Sequence, residues 1–350
     1  MDGKMYLAQV LQWSTAAKVE LVELISSGMA MAGPILVFAA IGHLPLGLAA
    51  SVGGLAVSGV KAGSSTKNQA KELASALIPV ILAAVAAILL LGYGWMSDIA
   101  VVVLASLAAI IGGYSRAFVV ATTRFILFLA ITINVIGTAP NRTQLFYLIV
   151  AGAIWSTCLS LMLGALVRTR RSIDSSEDEA STFTISQKIN RWRKSLTHLS
   201  GWQYTLRLAL CLCIAEGFRW FWPGHHLYWI VLTVAILIER KVEPFPIKTT
   251  QRALGTVLGV IAASLFLVVS LPAWGMIMSI GLLAAVRPLL KVRNYFAYSA
   301  SMTPLIMLIM NAGQSIELGV LFDRLIATLI GVGLVILVNL IFSRVMSKPA

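Results

Sequence analysis

The sequence predicts an all-α polytopic membrane protein of about twelve transmembrane helices, arranged as two six-helix repeats with cytoplasmic N- and C-termini. Composition is the first observation, because hydrophobic residues make up 59% of the 350 residues and charged residues only 12%. Soluble domains are roughly one quarter charged. The second observation is a series of apolar runs separated by short basic gaps, and the third is a weak similarity between the two halves of the chain.

A bilayer-spanning helix needs about 20 mostly apolar residues, and this length identifies each predicted span in turn. Six spans are predicted in the first half, near 22–41, 45–60, 73–92, 99–115, 117–136 and 145–167. Six more are predicted in the second half, near 204–221, 227–239, 253–271, 273–290, 295–311 and 322–343.

The gaps between these spans differ in charge and predict the orientation. One alternating set of gaps carries almost all the Lys and Arg, among them Arg252 and Arg287, whereas the other set carries only Arg142 and Arg219. Basic loops stay in the cytoplasm. Both termini fall on the basic side, as an even number of spans requires. We therefore predict a multi-pass protein of the inner membrane whose two ends are cytoplasmic.

The two halves, 1–167 and 204–350, are weakly similar in sequence. Gln69 aligns with Gln251, Trp95 with Trp274, and Asn134 with Asn311. Repeats of six helices share one orientation and are related by an axis along the membrane normal. The sequence therefore predicts an internal duplication.

The stretch 168–203 is predicted to be a cytoplasmic linker. Its first part is acidic and rich in Ser, which is typical of a mobile segment. In its second part, apolar residues recur at helical spacing among Lys and Arg, as in an amphipathic helix that lies on the inner membrane surface. A plain linker helix is the alternative.

Several classes of function are disfavoured by composition and motifs. The net charge of +13 lies in the gaps rather than along one stripe, so the bilayer, not nucleic acid, is the expected partner. The three Cys all lie in apolar runs, so we predict neither disulfides nor a metal site. No GxxxxGK[ST] motif occurs, so direct use of ATP by that route is not expected. We predict no enzymatic activity and no cofactor.

Polar groups inside the predicted spans are the candidates for mechanism, because charge within a bilayer is costly and usually functional. Glu216 lies well inside its span, past the midplane, where low dielectric favours a neutral acid that can exchange a proton. Arg219, three residues later, faces the same side of the helix and can pair with it. Proton coupling and a structural ion pair are both open interpretations.

Arg124 and two amides are candidates for substrate binding. Arg124 interrupts the fifth span, where a guanidinium can bind a carboxylate or pair with another helix. Asn134 and Asn311 occupy matching places in the two halves and can orient an anion or bridge helices. Asp323 and Arg324 are expected to form a capping pair at the start of the last helix.

Short or glycine-interrupted helices give a further indication of a site. The span near 227–239 is too short to cross about 30 Å unaided, and its counterpart near 45–60 contains four Gly. Such helices at matching places in two halves indicate a binding site at the midplane.

The second half carries a distinctive motif. A helix begins at Tyr228 and Trp229 and contains Thr233, and a polar turn follows it. The next helix begins with an Arg-xxx-Thr-xx-Gly pattern that the last helix repeats. The motif residues are Arg252, Gly255, Thr256 and Gly259, then Arg324, Thr328 and Gly331. The two copies enter the membrane from opposite sides, which indicates inverted three-helix units. Close packing at small residues is the alternative explanation.

On these residues the chain resembles the fusaric acid resistance and aromatic acid exporter superfamily, called FUSC-like. The resemblance implies an efflux permease for small aromatic or amphipathic organic acids, driven by proton antiport, with Thr233 added to the substrate-binding candidates. It also implies a periplasmic adaptor and an outer-membrane channel as partners in a Gram-negative host, while a homo-oligomer remains open. A passive organic-anion channel is the alternative function. A membrane-embedded enzyme using His43, His225 and His226 is a remote one.

Overall fold

The computed structural model describes residues 3–14, 19–59, 66–137, 140–170, 184–222, 225–243, 245–268, 271–310 and 318–346. In these ranges the chain forms fourteen α-helices and no β-strand. The first seven are α1 (Gly3–Leu11), α2 (Leu21–Ala40), α3 (Leu44–Val57), α4 (Thr66–Leu90), α5 (Trp95–Ile111), α6 (Arg116–Gly137) and α7 (Arg142–Arg170). The remainder are α8 (Ile185–Leu196), α9 (Leu199–Phe221), α10 (Tyr228–Leu237), α11 (Ile247–Val268), α12 (Ala273–Arg293), α13 (Tyr295–Met310) and α14 (Leu318–Met346).

A helix lies at every predicted span, because each apolar run can satisfy its backbone hydrogen bonds only within itself in lipid. Six of the described helices, α2, α4, α6, α7, α12 and α14, are long and apolar enough to cross a membrane. The chain is therefore an all-helical membrane protein with several spans. Twelve crossings, two repeats and cytoplasmic termini remain predictions.

The helix ends lie on two faces of the bundle. On the first face, Ser14 donates its backbone N–H to the carbonyl oxygen of Arg293 at 2.8 Å, and the Asn294 amide donates to the carbonyl oxygen of Leu11 at 3.1 Å. These contacts join the segment before α2 to the junction of α12 and α13. We call this first face the basic face, because most Lys and Arg lie at its helix ends. We call the second face the opposite face.

Large apolar side chains cover the outside of the bundle. Leu82, Leu89, Leu265, Met278 and Leu282 are all more than half exposed. A water-soluble protein rarely exposes so much contiguous apolar surface. The outer surface of the helices is therefore suited to contact with lipid.

The same helix pairs pack together in each group of six. In the first group the pairs are α2–α3, α3–α7, α4–α6, α4–α7, α2–α7 and α5–α6. The corresponding pairs in the second group are α9–α10, α10–α14, α11–α13, α11–α14, α9–α14 and α12–α13. Gln69 and Gln251 lie near the starts of α4 and α11, and Trp95 and Trp274 near the starts of α5 and α12.

Contacts between the two groups are also reciprocal. The first helix of each group packs against the fourth helix of the other, as α2–α12 and α5–α9. The second helix of each group packs against the fifth of the other, as α3–α13 and α6–α10. Four central helices, α3, α6, α10 and α13, therefore meet where the groups join.

Helix α8 lies at the predicted position of the amphipathic segment, on the basic face. Its N-terminus has a reciprocal cap, because the Thr184 hydroxyl accepts the backbone N–H of Gln187 while the Gln187 side chain accepts that of Thr184. The Trp192 indole donates to the carbonyl oxygen of Ile110 at 3.1 Å and meets the Tyr114 ring edge-on. These contacts dock α8 onto the corner between α5 and α6.

Candidate functional site

A small apolar cavity lies among the four central helices. Its lining residues come from both groups of six: Val52 and Leu55 of α3, Ala130, Ile131 and Val135 of α6, Tyr228, Trp229 and Leu232 of α10, and Ile306, Ile309 and Met310 of α13. Small-molecule sites are commonly concave, mostly apolar and placed between helices of a bundle. The cavity is the candidate binding site.

Two of the central helices are short, as the sequence predicts. Helix α10 has 10 residues and α3 has 14, or about 15 and 21 Å at 1.5 Å per residue. Both are shorter than a hydrocarbon core of about 30 Å. Their C-terminal ends consequently lie within the protein, where exposed carbonyl groups need partners.

Buried arginines supply those partners. Arg207 of α9 donates from Nη2 to the carbonyl oxygens of Glu239 at 2.7 Å and Arg240 at 3.2 Å, just beyond the end of α10. Arg287 of α12 donates to the carbonyl oxygens of Leu55 at 3.1 Å and Ser58 at 2.7 Å at the end of α3. Each cation also complements the negative end of a helix dipole.

Sequence reasoning missed both of these residues. Arg124 is a candidate because it is a charged residue within an apolar run. Arg207 also lies within an apolar run, so the same criterion selects it. Arg287 was counted among the charges of the basic loops. The structure corrects this, because α12 continues to Arg293 and the Arg287 side chain is buried inside the bundle.

Arg124 lies in line with the cavity. Seven and eleven residues separate it from Ile131 and Val135, so all three occupy one face of α6. Arg124 is therefore about 10 Å along the helix axis from Ile131 in the cavity lining, on the side of the basic face. No carboxylate pairs with Arg124 within the described ranges, and Arg287 and Glu72 are the charged groups that act on it. The ion-pair alternative for Arg124 has no partner among those residues.

Further cations surround this end of the cavity. Lys291 of α12 lies within the electrostatic field of three other cations, Arg287, Arg124 and Lys248. Nζ of Lys248 forms an ion pair with Oε1 of Glu239 at 2.8 Å, and this pair partly neutralises the charge of Lys248. The group therefore has a net positive potential beside the basic end of the cavity, which attracts anions.

Glu216 lies in a three-residue charge cluster rather than as an isolated acid. Its Oε2 is 2.5 Å from Nη1 of Arg219, and the same nitrogen is 3.3 Å from Oδ1 of Asp98 on α5. The indole of Trp220 donates to Oδ2 of Asp98 at 3.0 Å. The structure thus contains the ion pair that was one of the two interpretations of Glu216.

Glu216 lies near the end of α9 at the opposite face. Helix α9 begins at Leu199, five residues before the predicted start, and ends at Phe221. Glu216 is consequently about 7 Å from the end of its helix at the opposite face. It does not line the central cavity. Its cluster links α5 to α9 across the boundary between the two groups of six.

The remaining substrate-binding candidates differ in their surroundings. Asn134 donates its amide to the carbonyl oxygen of Ala130 on its own helix at 2.7 Å. Asn311 lies outside the described residues. Thr233 is fully buried on α10, where it packs against Gly331 of α14, and its hydroxyl has no hydrogen-bond partner among the described residues.

The two copies of the Arg-xxx-Thr-xx-Gly motif occupy equivalent packing positions. A Cβ placed at Gly259 of α11 would lie 2.8 Å from Cβ of Thr303 on α13. A Cβ placed at Gly331 of α14 would lie 2.9 Å from Cβ of Thr233 on α10. In both copies the glycine permits close approach to a threonine of a central helix.

The arginines of the motif are buried. Arg252 and Arg324 are 3% and 0% exposed. Arg324 lies over the Trp229 ring, with its Cζ 3.7 Å from the ring centroid. The expectation of a capping pair between Asp323 and Arg324 is wrong, because α14 begins at Leu318 and the two side chains point to different partners.

Asp323 instead contacts the histidine pair at the opposite face. Its two carboxylate oxygens lie 2.9 Å from Nδ1 of His225 and 3.0 Å from Nδ1 of His226. The backbone N–H of His226 also donates to Asp323 at 3.0 Å. His43, the third residue of the enzymatic alternative, is exposed in the turn before α3. The Asp323 contacts anchor the segment before α10 to α14.

The second half of the chain is similar to a known protein family. Residues 202–338 match the model of a family described as fusaric acid resistance protein-like. The match begins near the start of α9, includes α10 to α13 and ends within α14. No curated protein and no solved structure matches the chain. The FUSC-like resemblance inferred from the motif is thereby confirmed.

Proposed function

We propose an inner-membrane permease of the efflux type, from the premise that residues 202–338 match the fusaric acid resistance protein-like family. Its substrates are small organic anions with an aromatic or otherwise apolar body. The route passes from the basic face through the central cavity to the opposite face. Proton exchange drives the export.

The alignment of Arg124 with the apolar cavity is the observation that supports this substrate class. An aromatic acid has an apolar ring and a single negative charge. The cavity suits the ring, because hydrophobic side chains line it on all four helices. Arg124 lies two helical turns from Ile131 on the same face and suits the carboxylate, to which a guanidinium can donate two parallel hydrogen bonds.

The charge distribution supports the direction of transport. The cations around Arg124 raise the local concentration of anions at the basic face. If that face is cytoplasmic, as the excess of Lys and Arg predicts, anions enter from the cytoplasm and leave at the opposite face. A periplasmic adaptor and an outer-membrane channel would then receive them.

Glu216 is the proposed proton carrier, since it is a buried carboxyl close to the opposite face. Opening of its contact with Arg219 would leave Glu216 able to take up a proton. The ion pair itself favours the second candidate function, a passive anion channel in which the cluster only fastens α5 to α9.

The test of the passage is transport of radiolabelled benzoate in proteoliposomes by variants of Arg124. We expect Arg124→Leu to reduce benzoate flux at least tenfold, because the anion loses the cation that lies in line with Ile131 and Val135 on α6. Arg124→Lys keeps the charge but loses the planar fork, so an intermediate rate is expected.

Arg116→Leu is the matched control, because Arg116 is exposed at the basic end of the same helix. It should transport benzoate at the wild-type rate. Flux through Arg124→Leu equal to that of the control, with equal amounts of inserted protein, would exclude Arg124 from the path.

A further inference from the structure

The buried contact region of α10, α11 and α14 contains an unusual excess of hydrogen-bond donors. Within the described residues, seven side-chain atoms there have no hydrogen-bond partner: Nε1 of Trp229, Oγ1 of Thr233, Nε of Arg252, Oγ1 of Thr256, and Nε, Nη1 and Nη2 of Arg324. Five of the seven belong to N–H groups that can only donate. Buried polar groups are normally paired, and the donors in this region outnumber the acceptors.

Arg324 has the most unusual environment of these residues. It is 0% exposed, and within the described ranges its three guanidinium nitrogens have no hydrogen-bond partner. The charged group that acts on it most strongly is Arg252, which repels it. Its guanidinium is stacked on the face of Trp229, with Cζ 3.7 Å from the ring centroid. A buried cation without an anion is costly, and stacking on an indole offsets only part of that cost.

Trp229 connects Arg324 to the central cavity. Trp229 is one of the residues that line the cavity, and the Arg324 guanidinium is stacked on its ring. Arg324 is therefore in direct contact with a residue of the cavity lining. Arg324 lies six residues into α14 from the opposite face, whereas Arg124 lies on the basic side of the cavity. The two cations thus lie toward different ends of the cavity.

We infer that Arg324 is a second binding residue for the carboxylate of an organic anion whose apolar body occupies the central cavity. The Trp229 ring turns aside to admit the carboxylate, and the guanidinium donates two hydrogen bonds to it. The anion supplies the acceptors that Arg324 and the Trp229 N–H lack. This inference rests on the proposed function and adds the residue that holds the anion after Arg124 has released it.

Equilibrium binding of radiolabelled benzoate to the purified full-length chain in lipid nanodiscs tests the inference. We expect Arg324→Gln to weaken benzoate binding at least tenfold. Benzyl alcohol has the same ring and no charge, so its ability to displace benzoate should depend on the apolar cavity and not on Arg324. The concentration of benzyl alcohol needed should change less than twofold in the variant.

Arg240→Gln is the matched control. The Arg240 guanidinium also lies over an aromatic ring, 4.6 Å from the centroid of Tyr204, and donates to the carbonyl oxygen of Ala109 at 3.0 Å. It lies outside the cavity lining, so its variant should bind benzoate as the wild type does. Loss of binding in this control as well would show a general effect of removing a stacked arginine and would overturn the inference.

Arg324→Leu separates a binding role from a structural one. If Arg324 awaits an anion, its removal should raise the thermal midpoint of the ligand-free protein and abolish the increase that benzoate gives the wild type. A lower midpoint in Arg324→Leu, benzoate binding within twofold of wild type in either variant, or no binding of millimolar benzoate by the wild type would each overturn the inference. The proposed function is judged separately, by transport through the Arg124 variants.

Discussion

Substitution of Glu216 distinguishes the two proposed functions, because an active exporter needs a residue that carries protons and a passive channel does not. We expect Glu216→Gln to abolish benzoate movement driven by a pH difference across proteoliposomes, because an amide cannot take up and release a proton. Passive flux down a benzoate gradient should persist. The variant should still fold, with a loss of about 1–3 kcal/mol, because Asp98 remains as a partner for Arg219.

Asp98→Asn is the control for this experiment. It removes the other carboxylate of the cluster and leaves Glu216 paired with Arg219. Transport driven by the pH difference should survive in Asp98→Asn. If Glu216→Gln keeps it too, the proton does not pass through Glu216 and the channel alternative gains support.

At the scale of residues, sequence reasoning found the charges but not all of their positions. It recognised Arg124 and Glu216, because each interrupts a long apolar run. It placed Arg252 and Arg287 at the cytoplasmic boundary, since counting basic residues between spans treats every charge near a helix end as a loop charge. Helices α11 and α12 extend farther than their apolar cores, so both arginines are buried in helices instead.

At the scale of helices, the repeated motif makes a packing prediction that a pair of glycines on α14 can test. A Cβ at Gly331 would lie 2.9 Å from Cβ of Thr233, whereas a Cβ at Gly333 would meet nothing within 4 Å. We expect Gly331→Ala to lower the unfolding free energy by about 1–3 kcal/mol through overpacking. Gly333→Ala should be neutral or stabilising by up to about 1 kcal/mol, because alanine favours the helix.

The measurement is thermal unfolding of the two variants in the same detergent. Equal midpoints for Gly331→Ala and Gly333→Ala would show that α10 and α14 do not approach as closely as the structure indicates. The short length of α10 could be predicted from the sequence, because His225, His226 and the polar turn at 239–246 limit its apolar run. Its arginine cap could not, because Arg207 is distant in sequence.

At the scale of the whole molecule, the predicted topology places the basic face in the cytoplasm. In a variant with Cys158, Cys211 and Cys213 replaced, a cysteine at Ser186 on α8 should resist a membrane-impermeant maleimide in intact cells. A cysteine at Asn141, exposed at the opposite face, should react. Reaction at both positions, or the reverse pattern, would refute the orientation that the excess of Lys and Arg predicts.

The order of helices along the chain could be predicted, but their partners in space could not. Apolar runs and basic gaps fix where helices begin and end. In lipid the outward surfaces are as apolar as the packed ones, so hydrophobic periodicity does not identify a helix's neighbours. The contacts of α2 with α12 and of α5 with α9 therefore emerge only from the structure.

The arginine caps of the short central helices make the two groups of six unequal. Arg207 and Arg287 both belong to the second group, yet Arg207 caps α10 of its own group while Arg287 caps α3 of the first. Helices α2 and α5, which correspond to α9 and α12, contain no arginine. A homodimer assembled from two second groups would therefore hold a complete set of caps, whereas one assembled from two first groups would hold none. The first group therefore depends on the second for the arginine that caps its short central helix, whereas the second group supplies its own.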